Sequence, residues 1–136
     1  MAVTFQITID CHDADVMASF WSTALGYELE PPPAGYLSWD DFLRANDIPL
    51  PPSGSIAAIV DPTGDGPRVL FLRVPDSNGT KNRVHLDVRS DRSDDGKQTK
   101  IDELVDAGAT VVERVDEHGG WWMVMADPEG NEFCVT

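Results

Sequence analysis

At 136 residues the chain is long enough to bury a core as one compact domain. Its formal net charge of −14 and pI near 4.2 exclude a nucleic-acid surface, which needs clustered Lys and Arg, and disfavour an anionic membrane. No apolar run reaches the roughly 18 residues of a membrane span, and the N-terminus has no basic region followed by an apolar run. Two cysteines, Cys11 and Cys134, cannot make a disulfide framework; these features predict a cytoplasmic protein with both thiols reduced.

Residues 3–10 alternate, with Phe5, Ile7 and Ile9 against Gln6, Thr8 and Asp10, which predicts a half-buried strand. Asp13 stands where a helix N-cap belongs. Val16, Met17, Phe20, Trp21, Ala24 and Leu25 then form a helical stripe closed by Gly26. A second strand starts at Tyr27, is broken by Pro31-Pro32-Pro33, and resumes over Tyr36-Leu37-Ser38-Trp39. Residues 40–54 read as a long loop with one helical turn opened by Asp40 and Asp41, either functional or a surface excursion. Two strands, Ile56 to Asp61 and Arg68 to Val74, flank an Asp-Pro-x-Gly turn.

Residues 75–82 form a polar connector. Arg83 to Arg89 alternates again, with Val84, Leu86 and Val88 against Arg83, His85, Asp87 and Arg89. Ser93, Asp94 and Asp95 are N-cap candidates for a helix whose buried side carries Ile101, Leu104, Val105 and Gly108. Ala109 to Val115, Trp121 to Ala126 and Glu132 to Thr136 are further strands. Asp61-Pro62-Thr63-Gly64 recurs as Asp127-Pro128-Glu129-Gly130, each copy in the same sequence of elements. The order βαβββ therefore occurs twice, too few times for a solenoid, in modules spanning 1–75 and 82–136 of a single domain 1–136. The apolar faces of the first strands are expected under the helices. The polar faces then line what the two sheets enclose, a setting suited to a small ligand.

Three stretches carry a family resemblance: the doubled βαβββ order, the helix leading through Phe20-Trp21 to Leu25-Gly26-Tyr27, and Asp127-Pro128-Glu129-Gly130-Asn131-Glu132-Phe133. The chain resembles the glyoxalase/bleomycin-resistance/dioxygenase superfamily, or vicinal oxygen chelate proteins. Lys81-Asn82-Arg83-Val84-His85-Leu86-Asp87 is similar to a glyoxalase-like branch of it. The resemblance implies an α+β fold in which two βαβββ modules form a curved, mixed eight-stranded sheet around a cleft, with the helices outside. It also implies a homodimer, and in many members a divalent metal held by the first and last strands of both modules. Carried over, the first-strand positions are Gln6 and His85, and Cys134 stands where the second module usually has Glu. The first module's last strand, Arg68 to Val74, offers no Asp, Glu, His or Cys.

A metal, if present, would therefore rest on Gln6, His85 and Cys134, a set far from the imidazole-plus-carboxylate chemistry such sites prefer. The expectation is no cofactor. His85 is the catalytic candidate, with Asp87 on the same strand face to orient it; a structural histidine at the cleft wall is the competing reading. The expected cleft residues are Gln6, Thr8, Trp39, Arg83, His85, Asp87, Trp122 and Cys134. Alternation puts Trp121 and Trp122 on opposite faces, so only one of them can face the cleft. Cys134 has four open readings: metal ligand, pocket lining, reactive thiol or small buried side chain. Arg83 and Arg73 either hold an anionic group or pair with the chain's carboxylates. The functional readings are a small-molecule-binding protein or acid–base enzyme without metal, a metal-dependent lyase, isomerase or dioxygenase with an altered ligand set, and a purely structural module.

Overall fold

The computed structural model describes residues 2, 4–75, 82–91 and 93–136. The first half runs β1 (Ile7–Cys11), α1 (Ala14–Leu25), β2 (Glu28–Leu29), α2 (Trp39–Ala45), β3 (Ile56–Val60) and β4 (Val69–Arg73). The second runs β5 (Asp87–Val88), α3 (Asp94–Asp106), β6 (Thr110–Glu117), β7 (Gly120–Ala126) and β8 (Glu132–Val135). The fold is α+β, as expected. The eight strands divide into two four-stranded sheets of identical topology, β1-β4-β3-β2 and β5-β8-β7-β6. Each first strand pairs in parallel with the last strand of its half, and the other pairings are antiparallel. Among the described residues no helix is long and apolar enough to cross a membrane.

Local chemistry explains the helix ends. Asp13 Oδ1 accepts from the backbone N–H groups of Asp15 at 3.0 Å and Val16 at 3.2 Å, and Gly26 closes α1 at φ +69°. Ser93 caps α3 by accepting from Gly96 N. Asp94 at its start accepts from Trp121 Nε1 at 2.7 Å, and Lys97 and Arg114 approach the ring of the same tryptophan. That group ties α3 to β7.

Several expectations change. Tyr36 to Ser38 is not strand, and Trp39 opens α2 instead, because the Ser38 side chain caps a helix by accepting from Asp41 N. Val16 and Val105 are exposed rather than part of the buried stripes, and Phe5 and Val84 do not pack under the helices. Ile7, Ile9, Leu86 and Val88 do contribute to the core. The strand expected over residues 83–89 shrinks to Asp87–Val88. Ahead of it, the Asn82 side chain takes over the ladder: its Oδ1 accepts from Glu132 N at 2.9 Å, and its Nδ2 donates to Glu132 O at 3.0 Å and Val84 O at 2.8 Å. Part of the expected connector, residues 76–81, lies outside the described residues.

The core crosses the boundary between the halves. Met17, Phe20 and Trp21 of α1 bury with Ile59, Val69 and Phe71 of their own sheet, and with Phe133 of β8. The rings of Phe20 and Trp21 stand 5.8 and 5.1 Å from Phe133, aromatic pairs each worth about 1 kcal/mol beyond their buried area. The Asp127 carboxylate is buried at the same junction. It accepts from Trp21 Nε1 at 3.1 Å and from the backbone of Glu129 and Asn131 at 2.9 and 3.0 Å. Glu129 reaches the same way, accepting from His12 N and Asp13 N just ahead of α1. Among the described residues, the matching Asp61 carboxylate bonds within its own loop, to Thr63 and Gly66.

The two turns therefore differ in what their loss should cost. Asp127→Ala removes the acceptor of four donors, the Trp21 indole, the Asn131 side-chain amide and the backbone N–H groups of Glu129 and Asn131, and the expected loss in urea unfolding is about 2–4 kcal/mol. Asp61→Ala, at a partly exposed turn, should lose clearly less. Equal losses at the two positions would show that Asp127 does not join the halves.

Candidate functional site

The parallel pair β5–β8 sets Asp87 opposite Cys134 and Val88 opposite Val135. Strand alternation then sorts the side chains. Phe133 and Val135 enter the core, so Glu132, Cys134 and Thr136 face the other way. On β7, Trp121 and Met125 are buried, which leaves Trp122 and Val124 on that same outer face. His85 precedes Asp87 by two residues and shares its side, held there by the Asn82 bonds to Val84 and Glu132.

These side chains surround a cavity of about 450 Å³, whose lining includes His85, Asp87, Trp122, Val124, Glu132 and Cys134. His85 Nδ1 lies 3.2 Å from Asp87 Oδ1, and both side chains are about half exposed. A ring nitrogen of His85, a carboxylate oxygen of Asp87 and Cys134 Sγ lie within 4.8 Å of one another. Cys134 is half-buried as a residue and is the buried member of the three, beside the exposed His85 and Asp87. The wall is mixed, with Trp122 and Val124 as apolar surface and the acid, thiol and imidazole groups converging on it. Such a mixture suits a small organic ligand.

A second and more open cavity of about 520 Å³ lies at the end of β4, against His12, Arg73, Val74 and Pro75. Arg73 is already held there by the carbonyls of His12 and Ser53. Among the described residues His12 is the one imidazole or acid in that lining, so the smaller cavity is the better candidate site. Cys11, nearby, is buried; that burial, with Glu129, Asp13 and Asp10 around it, pushes its thiol up to about 11. It is an inert thiol at neutral pH.

The first half has a different construction on the corresponding strands. Its β1–β4 register pairs Thr8 with Leu70, just as Asp87 pairs with Cys134. Leu70 therefore occupies the position of Cys134, and Gln6 that of His85. Gln6 Oε1 accepts from Arg68 Nη1 at 2.9 Å, and its Nε2 donates to Thr8. Arg68 Nε and Nη2 grip the Glu30 carboxylate at 2.5 and 2.8 Å, and these bonds hold the guanidinium's proton more firmly. The family's metal arrangement, with ligands from both halves, does not fit these first-half residues; the group whose spacing could hold an ion is His85, Asp87 and Cys134 of the second half. Leucine cannot ligate, and the one donor oxygen of Gln6 already faces a guanidinium cation.

Of the expected cleft residues, His85, Asp87, Trp122 and Cys134 come together in the cavity. Gln6 and Thr8 belong to the Arg68 network instead. Trp39 sits on α2, donates to Glu30 O at 2.8 Å and packs on Phe42. Arg83 is exposed and does not line the cavity. Sequence reasoning missed Glu132, Val124 and Thr136, although alternation from Cys134 and Trp122 points to all three. Asn82, which stands in for a strand, left no such signal.

Comparison with known proteins agrees with this architecture. A family model described as a glyoxalase-like domain matches residues 6–136. The fosfomycin resistance protein FosX from Mesorhizobium loti superposes with a TM-score of 0.65 at 10% identity, covering 99% of this chain and 90% of that one. A glyoxalase/bleomycin resistance protein/dioxygenase family enzyme from Burkholderia phytofirmans gives a TM-score of 0.62 at 15% identity, covering 96% and 94%. A FosX variant from Listeria monocytogenes, complexed with Mn(II) and 1S,2S-dihydroxypropylphosphonic acid, gives 0.61 at 12% identity, covering 99% and 89%. Comparison with curated protein sequences gives no match. At these identities the structural likeness concerns the fold, and the match over residues 6–136 carries the assignment: the chain belongs to the glyoxalase-like domain family.

Proposed function

We propose that this protein binds a small organic molecule in the cavity on the outer face of the second sheet, without the divalent metal found in some of its relatives. His85 is the proton-transferring group there, and Asp87 orients it. The observation that carries this reading is the convergence of the 3.2 Å His85–Asp87 pair and Trp122 on one cavity of about 450 Å³.

The chemistry follows from the geometry. Asp87, with Oδ1 3.2 Å from Nδ1, favours the imidazole tautomer that carries its proton on Nδ1 and its lone pair on Nε2. That nitrogen can take a proton from a bound molecule and return it, as in isomerisation or elimination next to a carbonyl. Trp122 and Val124 bury the apolar part of the ligand. Asp87 and Glu132 make the site unfavourable for a ligand whose anionic group lies against them. The first half contributes the Arg68–Glu30 pair where a ligand-bearing strand would otherwise stand.

Metal analysis of protein purified without chelator tests the metal-free part, with less than about 0.1 equivalent of Zn, Mn, Fe or Ni expected at neutral pH. A stoichiometric ion would favour the competing reading, a metal-dependent lyase, isomerase or dioxygenase with an altered ligand set. A thermal-shift screen of small organic molecules tests the cavity. A ligand at one hundred times its Kd should stabilise the fold by about 2.7 kcal/mol. Trp122→Ala should weaken such a ligand at least tenfold, about 1.4 kcal/mol, while Gln6→Ala leaves its affinity unchanged. Weakening by Gln6→Ala alone would move the site to the first half.

A further inference from the structure

Cys134 shares the cavity with His85 and Asp87, and the acid–base role just proposed leaves its thiol unused. We propose that Cys134 is a covalent nucleophile that captures small, soft electrophiles of the activated-alkene class, with His85 receiving its proton and Asp87 positioning the imidazole. This rests on the reading of the cavity as the ligand site.

Three observations carry it. First, Cys134 Sγ lies within 4.8 Å of both an imidazole nitrogen and a carboxylate oxygen. A thiol, a base and a group that orients the base make a nucleophilic constellation. Second, the arrangement is set by backbone pairing. Asp87 and Cys134 are register partners, and Cys134 N donates to Leu86 O at 3.0 Å. Third, the other thiol of the chain is buried away from this cavity and held protonated, so reactivity is concentrated at one position.

The electrophile class follows from what surrounds the sulfur. Cys134 N and Thr136 N are spent on Leu86 O and Val88 O, so neither can stabilise the oxyanion of an acyl transfer. Conjugate addition has less need of such donors. In that step the Cys134 S–H proton passes to the His85 imidazole through one water, since the two lie within 4.8 Å of each other. The sulfur pair forms a bond to the β-carbon of the alkene, and the C=C pair moves to the α-carbon. The α-carbon then takes the proton from the imidazolium. Thiol and alkene give a thioether, with no oxidant or reductant required. Asp87 and Glu132 disfavour an anionic electrophile, while Trp122 and Val124 suit a neutral, partly apolar one.

The test is labelling of the full chain with N-ethylmaleimide at pH 7, followed by intact and peptide mass spectrometry. Cys134 should react at least tenfold faster than it does in the urea-unfolded chain, with Cys11 unmodified over the same time. His85→Ala should slow Cys134 at least tenfold, and added imidazole should restore part of the rate, which a merely structural role would not allow. Asp87→Asn should slow it less, and it carries the comparison if His85→Ala does not fold. Labelling of Cys134 at the unfolded-chain rate, or a rate indifferent to both substitutions, would overturn the proposal, as would stoichiometric zinc on the thiol. A screened ligand that still stabilises Cys134→Ala while labelling is slow would leave the cavity reading standing and remove the nucleophile. Fast, His85-dependent labelling that no screened ligand slows would support the nucleophile and count against the cavity reading.

Discussion

The hydrogen-bonded carboxylate of Asp127 is the constraint on which the rest depends. A charge with 3% of its surface exposed must be met by donors. Its donors come from two directions, the turn it begins and the Trp21 indole of the other half. The turn delivers Asn131 and then β8, so the same group that holds α1 against the second sheet also sets where β8 begins. Since β8 carries Glu132, Cys134 and Thr136, the chemistry of the cavity is placed by a contact well outside it.

The two halves share a topology and have diverged in content. One pairs His85 with Asp87 and adds a thiol. The other places Arg68 between Gln6 and Glu30, and a leucine where the thiol would be. The Arg68–Glu30 pair is bidentate and partly shielded from solvent, so it is better defined than a surface ion pair. It satisfies the polar atoms of its strand internally. In the second half the His85–Asp87 pair stands at the cavity wall instead.

Much of this was legible in the sequence. Period-3.6 stripes mark α1 and α3, and period-2 alternation marks the first strand of each half, since a half-buried element must alternate. The doubled Asp-Pro-x-Gly turn gives the duplication, and the faces of β7 and β8 give Trp122 and Cys134. What escaped depends on long-range contacts. Trp39 joins a helix because Ser38 caps it, a competition between strand propensity and capping that local pattern does not decide. Gln6 was expected at the cleft; its engagement by Arg68 needs the β1–β4 register, which a strand sequence alone does not specify. Val16 and Val105 are apolar residues on helix flanks that stay nearly half exposed.

The shared core has a consequence in terms of descent. A duplicated unit begins as two self-sufficient copies, each burying its own helix on its own sheet. Here Phe20 and Trp21 of one copy close over Phe133 of the other. Separating the copies would return large aromatic surfaces to water and leave the Asp127 carboxylate short of a donor. The two halves are therefore coupled through one core, and each is completed by the other.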